Sequence, residues 1–307
     1  MRPGTRRLGV LVLASAWVLV GGYGVWAYVH DYYVYRGFGA PRDPPGIARG
    51  SLRAVPMHSD ALGGERSYDV YLPPGYAAAA ARGRRFGVLY LLHGAPGWPR
   101  LFTDAGALGV AIDTLIARHA IGRFLVVMPD GRDGSFSSDT EWADTAHGRY
   151  ESFVLDVVRA VDARWPTVPD RGHRVLAGNS EGAYAAANIA LRHPATFGAF
   201  EGWSGYYRQT RTGVFKHATA AQLSANSPIE LALTRRAELA RLPLHAYLYG
   251  GADDPVTADQ RVFARALRAA GATVTERLLP GRHDWRLWRA QTPAMVRWAA
   301  AQIRPRR

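Results

Sequence analysis

The sequence predicts an α/β fold with a mostly parallel central sheet and helices on both faces. Three observations support this class. Uninterrupted apolar runs, which are typical of strands buried on both faces, recur along the chain. Runs with helical spacing of apolar residues lie between them, and glycine or proline turns follow several strands. Strands that alternate with helices form parallel sheets, in which ligands bind at the carboxyl ends of the strands.

The N-terminal segment has the pattern of a membrane-directed leader. Arg2, Arg6 and Arg7 precede an uncharged run at residues 8–29, which is long enough to span a bilayer as a helix. The arginines place the N-terminus in the cytoplasm by the positive-inside rule. We therefore expect residues 1–7 to be a cytoplasmic basic segment and residues 8–29 an uncleaved transmembrane anchor in the cell membrane. The alternative is a signal peptide that is cleaved before secretion.

The rest of the chain is predicted to lie outside the cytoplasmic membrane. Residues 30–50 hold several prolines and glycines and are predicted to form a linker. Residues 51–307 have the length of one α/β domain, and no internal repeat is visible in them. One catalytic domain is therefore expected after the linker.

The elements of this domain follow from its apolar pattern. The first predicted strand, residues 67–73, alternates apolar and polar side chains and ends at Pro74-Gly75. Residues 77–85 are predicted to be a low-complexity loop. Further strands are predicted at the apolar runs of residues 86–92, 124–128, 175–177, 197–203, 246–249 and 274–279. Helices are predicted at residues 107–120, 150–165, 183–192 and 257–270, and a terminal helix is predicted to begin at Thr292-Pro293.

The strand at residues 175–177 leads directly into Gly178-Asn179-Ser180-Glu181-Gly182, which has the spacing G-x-S-x-G. A strand, this pentapeptide and a helix in that order are typical of a nucleophile elbow. The turn requires glycine at both flanks because a Cβ there would crowd the strand or the helix. The helix N-terminus also favours the negative charge that develops during attack by Ser180.

A base and an orienting acid are expected after Ser180, in the order Ser, then Asp or Glu, then His. Asp253 and Asp254 follow the strand at residues 246–249, and His283 follows the last strand. We predict that His283 is the general base and that Asp254 orients it, with Asp253 as the alternative acid. His93 precedes the elbow, which is the wrong order for the base, and is expected to shape the neighbouring loop instead.

Two backbone N–H groups are expected to bind the developing oxyanion. One is that of Glu181, directly after the nucleophile, and the other comes from the loop after Leu92. In that loop Ala95 is the first choice and Gly94 the second. The sequence leaves open whether several nearby aromatic residues line a substrate cleft or pack in the core: Trp142, Trp203, Tyr206 and Tyr207.

Composition excludes several classes of function. Cysteine is absent, so neither a thiolate nucleophile nor a cysteine metal site exists. No metal-binding constellation is visible, and we predict no metal and no cofactor. The formal net charge is +13, nearly all from arginine, but no arginine–aromatic recognition motif appears. No nucleic-acid partner is therefore predicted.

Four motifs in register resemble the putative-esterase family of α/β-hydrolases, which includes esterase D, feruloyl esterase domains and the antigen 85 mycolyltransferases. The motifs are Tyr71-Leu72-Pro73-Pro74-Gly75-Tyr76, Leu89-Tyr90-Leu91-Leu92-His93-Gly94, the elbow, and Pro280-Gly281-Arg282-His283-Asp284-Trp285. The segment Gly134-Ser135-Phe136-Ser137-Ser138-Asp139 also resembles a part of antigen 85 near its acyl-transfer pocket.

The resemblance implies an α/β-hydrolase fold, a triad of Ser180, Asp254 and His283, and an oxyanion hole from Ala95 and Glu181. It implies a serine carboxylesterase that forms an acyl-enzyme and acts on a small-molecule, lipid or sugar ester. Two other functions are kept as alternatives. One is a mycolyltransferase-like acyltransferase that moves an acyl chain to a sugar hydroxyl. The other is a non-catalytic wall- or carbohydrate-binding module on a hydrolase scaffold.

Overall fold

The computed structural model describes residues 3–135 and 139–303, without the side chains of residues 3–14 and Ala16. The strands are β1 Ser51–Ser59, β2 Gly64–Leu72, β3 Val88–Leu92, β4 Leu125–Pro129, β5 Asp144–Thr145, β6 Gly148–Arg149, β7 Arg174–Asn179, β8 Ala199–Trp203, β9 His245–Gly251 and β10 Thr273–Leu279. The α-helices are α1 Pro3–Tyr35, α2 Tyr76–Ala81, α3 Leu101–Asp104, α4 Leu108–Ala117, α5 Tyr150–Arg164, α6 Glu181–Arg192, α7 Ala220–Ala225, α8 Pro228–Thr234, α9 Arg236–Arg241, α10 Gln260–Ala269 and α11 Trp285–Ile303.

Eight of these strands form one twisted sheet in the order β1-β2-β4-β3-β7-β8-β9-β10. The six strands from β4 to β10 in this order run parallel, whereas β1 and β2 form an antiparallel hairpin that pairs with β4 through β2. This confirms the predicted α/β class with a mostly parallel sheet. The carboxyl ends of the parallel strands lie along one edge, where the loops after β3, β7, β9 and β10 meet.

Both faces of the sheet are buried, as the continuous apolar runs predict. In β7, Leu176 packs into one hydrophobic cluster, and Val175 and Ala177 pack into another on the opposite face. Side chains of α5, α6, α8 and α10 belong to the first cluster, and side chains of α4 and α11 belong to the second. The strand that leads to Ser180 is therefore held rigidly between two layers of helices.

Two predictions about local structure are wrong. Residues 77–85 are not entirely a loop, because α2 covers the alanine run that begins after Tyr76; alanine has the highest intrinsic helix propensity. The terminal helix begins at Trp285 rather than at Thr292, and Pro293 lies inside it. Asp284 provides the start signal instead, since its Oδ1 accepts hydrogen bonds from the backbone N–H groups of Arg286 and Leu287.

The segment before the domain also differs from its prediction. Helix α1 continues through Tyr35, so the connection to β1 is shorter than the predicted linker of residues 30–50. No glycine or proline interrupts the chain between residues 29 and 36, and Gly37 is the first residue that does. Strand β1, which the sequence analysis did not predict, begins at Ser51 and pairs antiparallel with β2.

Across the described residues, none of the helices has the length and apolar character needed to cross a bilayer. The side chains of residues 8–14 and of Ala16, within the predicted anchor at residues 8–29, lie outside the described part of the chain. The anchor therefore stays a prediction. Residues 136–138, in the segment that resembles antigen 85, also lie outside the described residues.

Candidate active site

Ser180 occupies a sharp turn between β7 and α6. Its φ and ψ of 57° and −121° lie in a region that L-residues rarely adopt. A Cβ on Gly182 would overlap the Leu92 carbonyl oxygen, and a Cβ on Gly178 would overlap the backbone of Gly182. Strand and helix therefore cross so closely that only glycine fits at both flanks. The turn projects the Ser180 hydroxyl beyond the carboxyl end of the sheet, as the G-x-S-x-G spacing predicts.

His283 lies in the loop between β10 and α11 and reaches Ser180 across 103 residues of chain. Its Nε2 is 2.9 Å from Ser180 Oγ, and its Nδ1 is 2.8 Å from Asp254 Oδ2. Because an ionised carboxylate only accepts hydrogen bonds, Nδ1 carries the proton and Nε2 is free to accept the hydroxyl proton of Ser180. The structure thus places the three residues in one hydrogen-bonded chain.

Of the two adjacent aspartates, the structure brings Asp254 to His283. The Asp254 side chain is fully buried, and its second carboxylate oxygen accepts a hydrogen bond of 3.0 Å from the Val256 N–H. Asp253 is exposed, and its backbone N–H donates to Gly281 O at 3.1 Å. This bond ties the loop after β9 to the loop that carries His283.

The His283 ring is also held from its side. Its centroid lies 5.1 Å from that of Trp288, with the rings nearly perpendicular at 83°. Trp288 is fixed in turn, because its Nε1–H donates to Ser204 Oγ at 3.1 Å. The first turn of α11 therefore supports the orientation of His283.

The residues predicted to bind an oxyanion lie on either side of Ser180. Glu181 is the first residue of α6, where a backbone N–H has no partner within its own helix and forms part of the positive end of the helix dipole. A Cβ on Gly94 would come within 3.0 Å of the Ser180 Cβ, so the loop after β3 packs directly against the nucleophile. Ala95 follows Gly94 and lines the same cleft as Ser180. The structure brings these residues together, and their roles stay a prediction.

His93 holds the loop after β3 in place through hydrogen bonds. Its Nδ1–H donates to Gly94 O at 3.0 Å, and its Nε2 accepts from the Gly131 N–H at 3.2 Å. The Trp142 indole N–H donates to His93 O at 3.0 Å. Burial lowers the pKa of His93 to about 4, although the nearby Asp130 carboxylate opposes this shift. His93 is therefore a neutral residue that positions the loop, consistent with the expectation from the chain order.

A buried acidic layer next to the elbow was not predicted. Glu181 Oε1 accepts from the Thr140 N–H at 3.2 Å, and Glu141 Oε2 accepts from the Tyr206 hydroxyl and the Gln209 amide. Burial raises the pKa of Glu141 to about 7. Burial, and then the charge of Glu141, raises the pKa of Glu181 well above its usual value. The sequence could not indicate this layer, because the G-x-S-x-G pattern leaves the residue after serine open.

The hydroxyl of Ser180 opens into a cleft of about 240 Å³. Its walls are largely apolar and include Leu101, Phe102, Trp285 and Trp288, and Arg36 also lines it. Trp142, Trp203 and Tyr207 are instead almost fully buried, so packing is their role. Within residues 3–135 and 139–303, no group of His, Cys, Asp or Glu side chains is arranged to hold a metal ion.

The site lies in a region that matches a known protein family. The family model described as "Putative esterase" matches residues 59–299 of the chain. An endo-1,4-β-xylanase/feruloyl esterase of Xylanibacter ruminicola is 31% identical over 173 residues, which cover 55% of this chain and 22% of that protein. A protein named as an esterase in Mycobacterium tuberculosis is 25% identical over 285 residues, covering 81% of this chain and 59% of that protein. The chain thus spans less than two thirds of the length of either relative.

Solved structures share the fold. A ferulic acid esterase superimposes with a TM-score of 0.72 at 22% identity, covering 83% of this chain and 99% of that structure. An S-formylglutathione hydrolase from Agrobacterium tumefaciens has a TM-score of 0.70 at 15% identity, covering 87% of this chain and all of that structure. At these identities the likeness establishes the α/β-hydrolase-like architecture alone.

Proposed function

The chain belongs to the putative-esterase family, and on that premise we propose that it is a serine ester hydrolase that forms an acyl-enzyme on Ser180. The observation that carries this proposal is the hydrogen-bonded chain from Ser180 through His283 to the buried Asp254 carboxylate. The hydroxyl of Ser180, at one end of this series of hydrogen bonds, opens into a cleft with apolar walls. A hydroxyl becomes a useful nucleophile when a base within hydrogen-bond reach removes its proton during attack.

In the acylation step, Ser180 Oγ attacks the carbonyl carbon of the ester, and His283 Nε2 takes the hydroxyl proton. The imidazolium that forms is stabilised by Asp254, which already accepts the Nδ1–H bond. Negative charge develops on the former carbonyl oxygen, where the N–H groups of Glu181 and Ala95 bind it. The intermediate collapses when His283 returns the proton to the alkoxide leaving group, and the alcohol departs.

In the second half of the reaction, a water molecule takes the place of the alcohol. His283 removes a proton from this water as it attacks the acyl carbon, and the same two N–H groups bind the oxyanion. Collapse releases the carboxylic acid and returns the proton to Ser180. Transfer to a sugar hydroxyl would use the same residues, and analysis of the products formed with trehalose and an acyl donor distinguishes this alternative from hydrolysis.

The size and aromatic lining of the cleft favour a substrate with a flat or short acyl group. Phe102, Trp285 and Trp288 supply aromatic surface around Ser180, and aromatic rings pack well in offset or edge-to-face contacts. The relatives described as feruloyl esterases carry an aromatic acid in their names. We therefore propose aryl-substituted and short-chain carboxylic esters as the first substrates to examine.

The proposed location of the reaction is outside the cytoplasmic membrane. Its support is the N-terminal sequence, in which arginines precede the uncharged run at residues 8–29. Protease treatment of intact cells and of lysed cells tests this proposal. The protease should cut the domain when the outer layers of the cell are permeable and the cytoplasmic membrane is intact. Protection of the domain until the cytoplasmic membrane is lysed would contradict the proposed location.

The experiment that tests the enzymatic proposal compares the purified chain with its Ser180→Ala variant on p-nitrophenyl acetate and butyrate. We expect steady release of p-nitrophenol by the wild type and a loss of at least about a thousandfold in the variant, because the acyl-enzyme cannot form. Absence of turnover in the wild type with any ester would favour the non-catalytic binding module. Equal rates in both proteins would exclude Ser180 as the nucleophile.

A further inference from the structure

The residue that directly follows the N-terminal helix reaches the cleft that contains Ser180. Arg36 follows α1 directly, and its backbone N–H still donates to Tyr32 O at 2.8 Å. Its guanidinium carbon lies 5.3 Å from the centroid of the Trp98 ring. Arg36 lines the same cleft as Ser180 and His283. It also precedes the region that matches the family model, which begins at residue 59.

Arg36 lacks the partner that an arginine in a cleft normally has. Within the described residues, no carboxylate is paired with its guanidinium, and its Nε is buried without a hydrogen-bond partner. The guanidinium carbon contacts only aromatic rings there, those of Tyr33 at 5.9 Å and Trp98 at 5.3 Å from the centroids. Burial lowers its pKa from the ordinary value, although Tyr32 and Tyr33 oppose the shift. A cation that loses water without gaining an anion is destabilised, so this arrangement favours binding of a negative group.

The backbone holds Arg36 in this place at a cost. Its φ is +54°, in the left-handed region, and that of Gly37 is +83°. Glycine usually occupies the left-handed position that ends a helix, yet here arginine takes the first of the two positions. Two residues after Arg36, the Phe38 ring centroid lies 4.5 Å from the guanidinium carbon of Arg289, and this contact holds the segment against α11. The segment therefore contacts the domain through both Arg36 and Phe38.

The charge of Arg36 stands out among the residues around it. The described lining of the cleft consists otherwise of apolar side chains, backbone, the Ser180 hydroxyl, the Asn179 amide and the imidazoles of His93 and His283. Arg36 is the only described lining residue with a permanent charge. Because the cleft measures only about 240 Å³, an ester bound at Ser180 brings its substituents close to the guanidinium. A guanidinium binds planar oxyanions with two parallel hydrogen bonds.

We propose that Arg36 is a specificity-determining residue that binds an anionic group, a carboxylate or a phosphate, on the ester substrate. This inference rests on the proposed esterase function. The anionic group is either on the acyl side or on the alcohol side of the ester bond. Arg36 binds it in the ground state as well as in the transition state, so its contribution is expected mainly in KM.

The test uses pairs of esters that differ in one anionic group. For the acyl side the pair is mono-p-nitrophenyl glutarate and p-nitrophenyl pentanoate, and for the alcohol side it is 4-acetoxyphenyl phosphate and phenyl acetate. The measured quantity is the ratio of kcat/KM for the anionic ester to that for its neutral partner. We expect Arg36→Gln to lower this ratio about tenfold or more for one pair, mainly through KM, with Arg36→Lys in between.

Arg164→Gln is the matched control. Arg164 also lies over an aromatic ring, with its guanidinium carbon 5.8 Å from the Trp165 centroid, but it does not line the cleft. This variant removes the same charge and should leave both ratios unchanged. In the wild type alone, added salt should lower the ratio for the affected pair, because the interaction is ionic.

Two results would overturn the inference. If Arg36→Gln changes neither ratio while the wild type hydrolyses the neutral esters, Arg36 does not select anions and the esterase proposal is unaffected. If Arg36→Gln lowers the rates for charged and neutral esters by the same factor, the residue only supports the fold around the cleft. A wild type that hydrolyses none of the four esters would refute the esterase proposal, and this inference would fail with it.

Discussion

The Asp254 carboxylate holds His283 with one oxygen and its own loop with the other. Oδ2 accepts from His283 Nδ1 at 2.8 Å, and Oδ1 accepts from the Val256 N–H at 3.0 Å. The carboxylate therefore cannot rotate away from the imidazole without breaking a backbone hydrogen bond. In the proposed mechanism this geometry gives the buried acid two roles: it selects the tautomer of His283 and stabilises the turn after β9.

The first prediction concerns this aspartate. Asp254→Asn should lower kcat for p-nitrophenyl acetate by about a thousandfold or more, because an amide can donate to Nδ1 and so favour the unproductive tautomer of His283. The matched control is Asp253→Asn, which changes the adjacent, exposed residue and should leave kcat within about twofold. Equal losses in the two variants would contradict the assignment of Asp254.

A second prediction concerns His93. His93→Ala removes the donor to Gly94 O and leaves the Gly131 N–H without its acceptor. We expect the free energy of unfolding to fall by about 2–4 kcal/mol, because a buried residue and two hydrogen bonds are lost. The loop that carries Ala95 should also lose its position, which lowers kcat more than it raises KM. Denaturant unfolding and steady-state kinetics measure both effects, and unchanged kcat would show that the loop needs no such support.

The third prediction is a pH dependence of stability. The pKa of Glu141 is about 7 in the folded protein, compared with the ordinary value of 4.5 expected in the unfolded chain. The folded state thus binds more protons between these values, so the stabilisation is fully present below about pH 4.5 and is lost as the pH rises through about 7. Relative to Glu141→Gln, the wild type should lose about 3 kcal/mol between pH 4.5 and pH 8. Parallel stability curves for the two proteins would contradict this shift.

The fourth prediction concerns the close crossing of strand and helix. Gly182→Ala should cost about 3 kcal/mol or more of stability, because its Cβ overlaps the Leu92 carbonyl oxygen and rigid backbone cannot yield. Gly122→Ala is the control, since a Cβ there meets no atom within 4 Å. It should change the free energy of unfolding by less than about 0.5 kcal/mol. Similar unfolding midpoints for the two variants would argue against the crossing as described.

The sequence predicted the parallel sheet because burial on both faces produces continuous apolar runs, a local signal. It also led to Ser180, Asp254 and His283 as candidates, since each follows a strand and parallel strands bring their carboxyl ends to one edge. The parallel topology alone therefore accounts for the presence of these three residues at the same edge of the sheet. The order Ser, Asp, His fits both Asp253 and Asp254, and the burial that distinguishes Asp254 is visible only in the fold.

Other features depended on contacts that no local pattern encodes. Arg36 reaches the cleft only because α1 ends beside Trp98, and Glu141 becomes an acid with a raised pKa only because tertiary packing buries it. Thr292-Pro293 is a misleading start signal for α11, because proline is common in the first turn of a helix but here lies inside it. The helix is capped instead by Asp284, which directly follows His283.

The central claim, that Ser180 is the nucleophile activated by His283, is tested most directly by site mapping of a covalent adduct. The purified chain is treated with a fluorophosphonate, digested and analysed by peptide mass spectrometry, in parallel with His283→Ala. We predict a single adduct on Ser180 in the wild type and a labelling rate at least about a hundredfold lower in the variant, because the hydroxyl loses its base. An adduct on another residue, or labelling of Ser180 at the same rate without His283, would contradict the account.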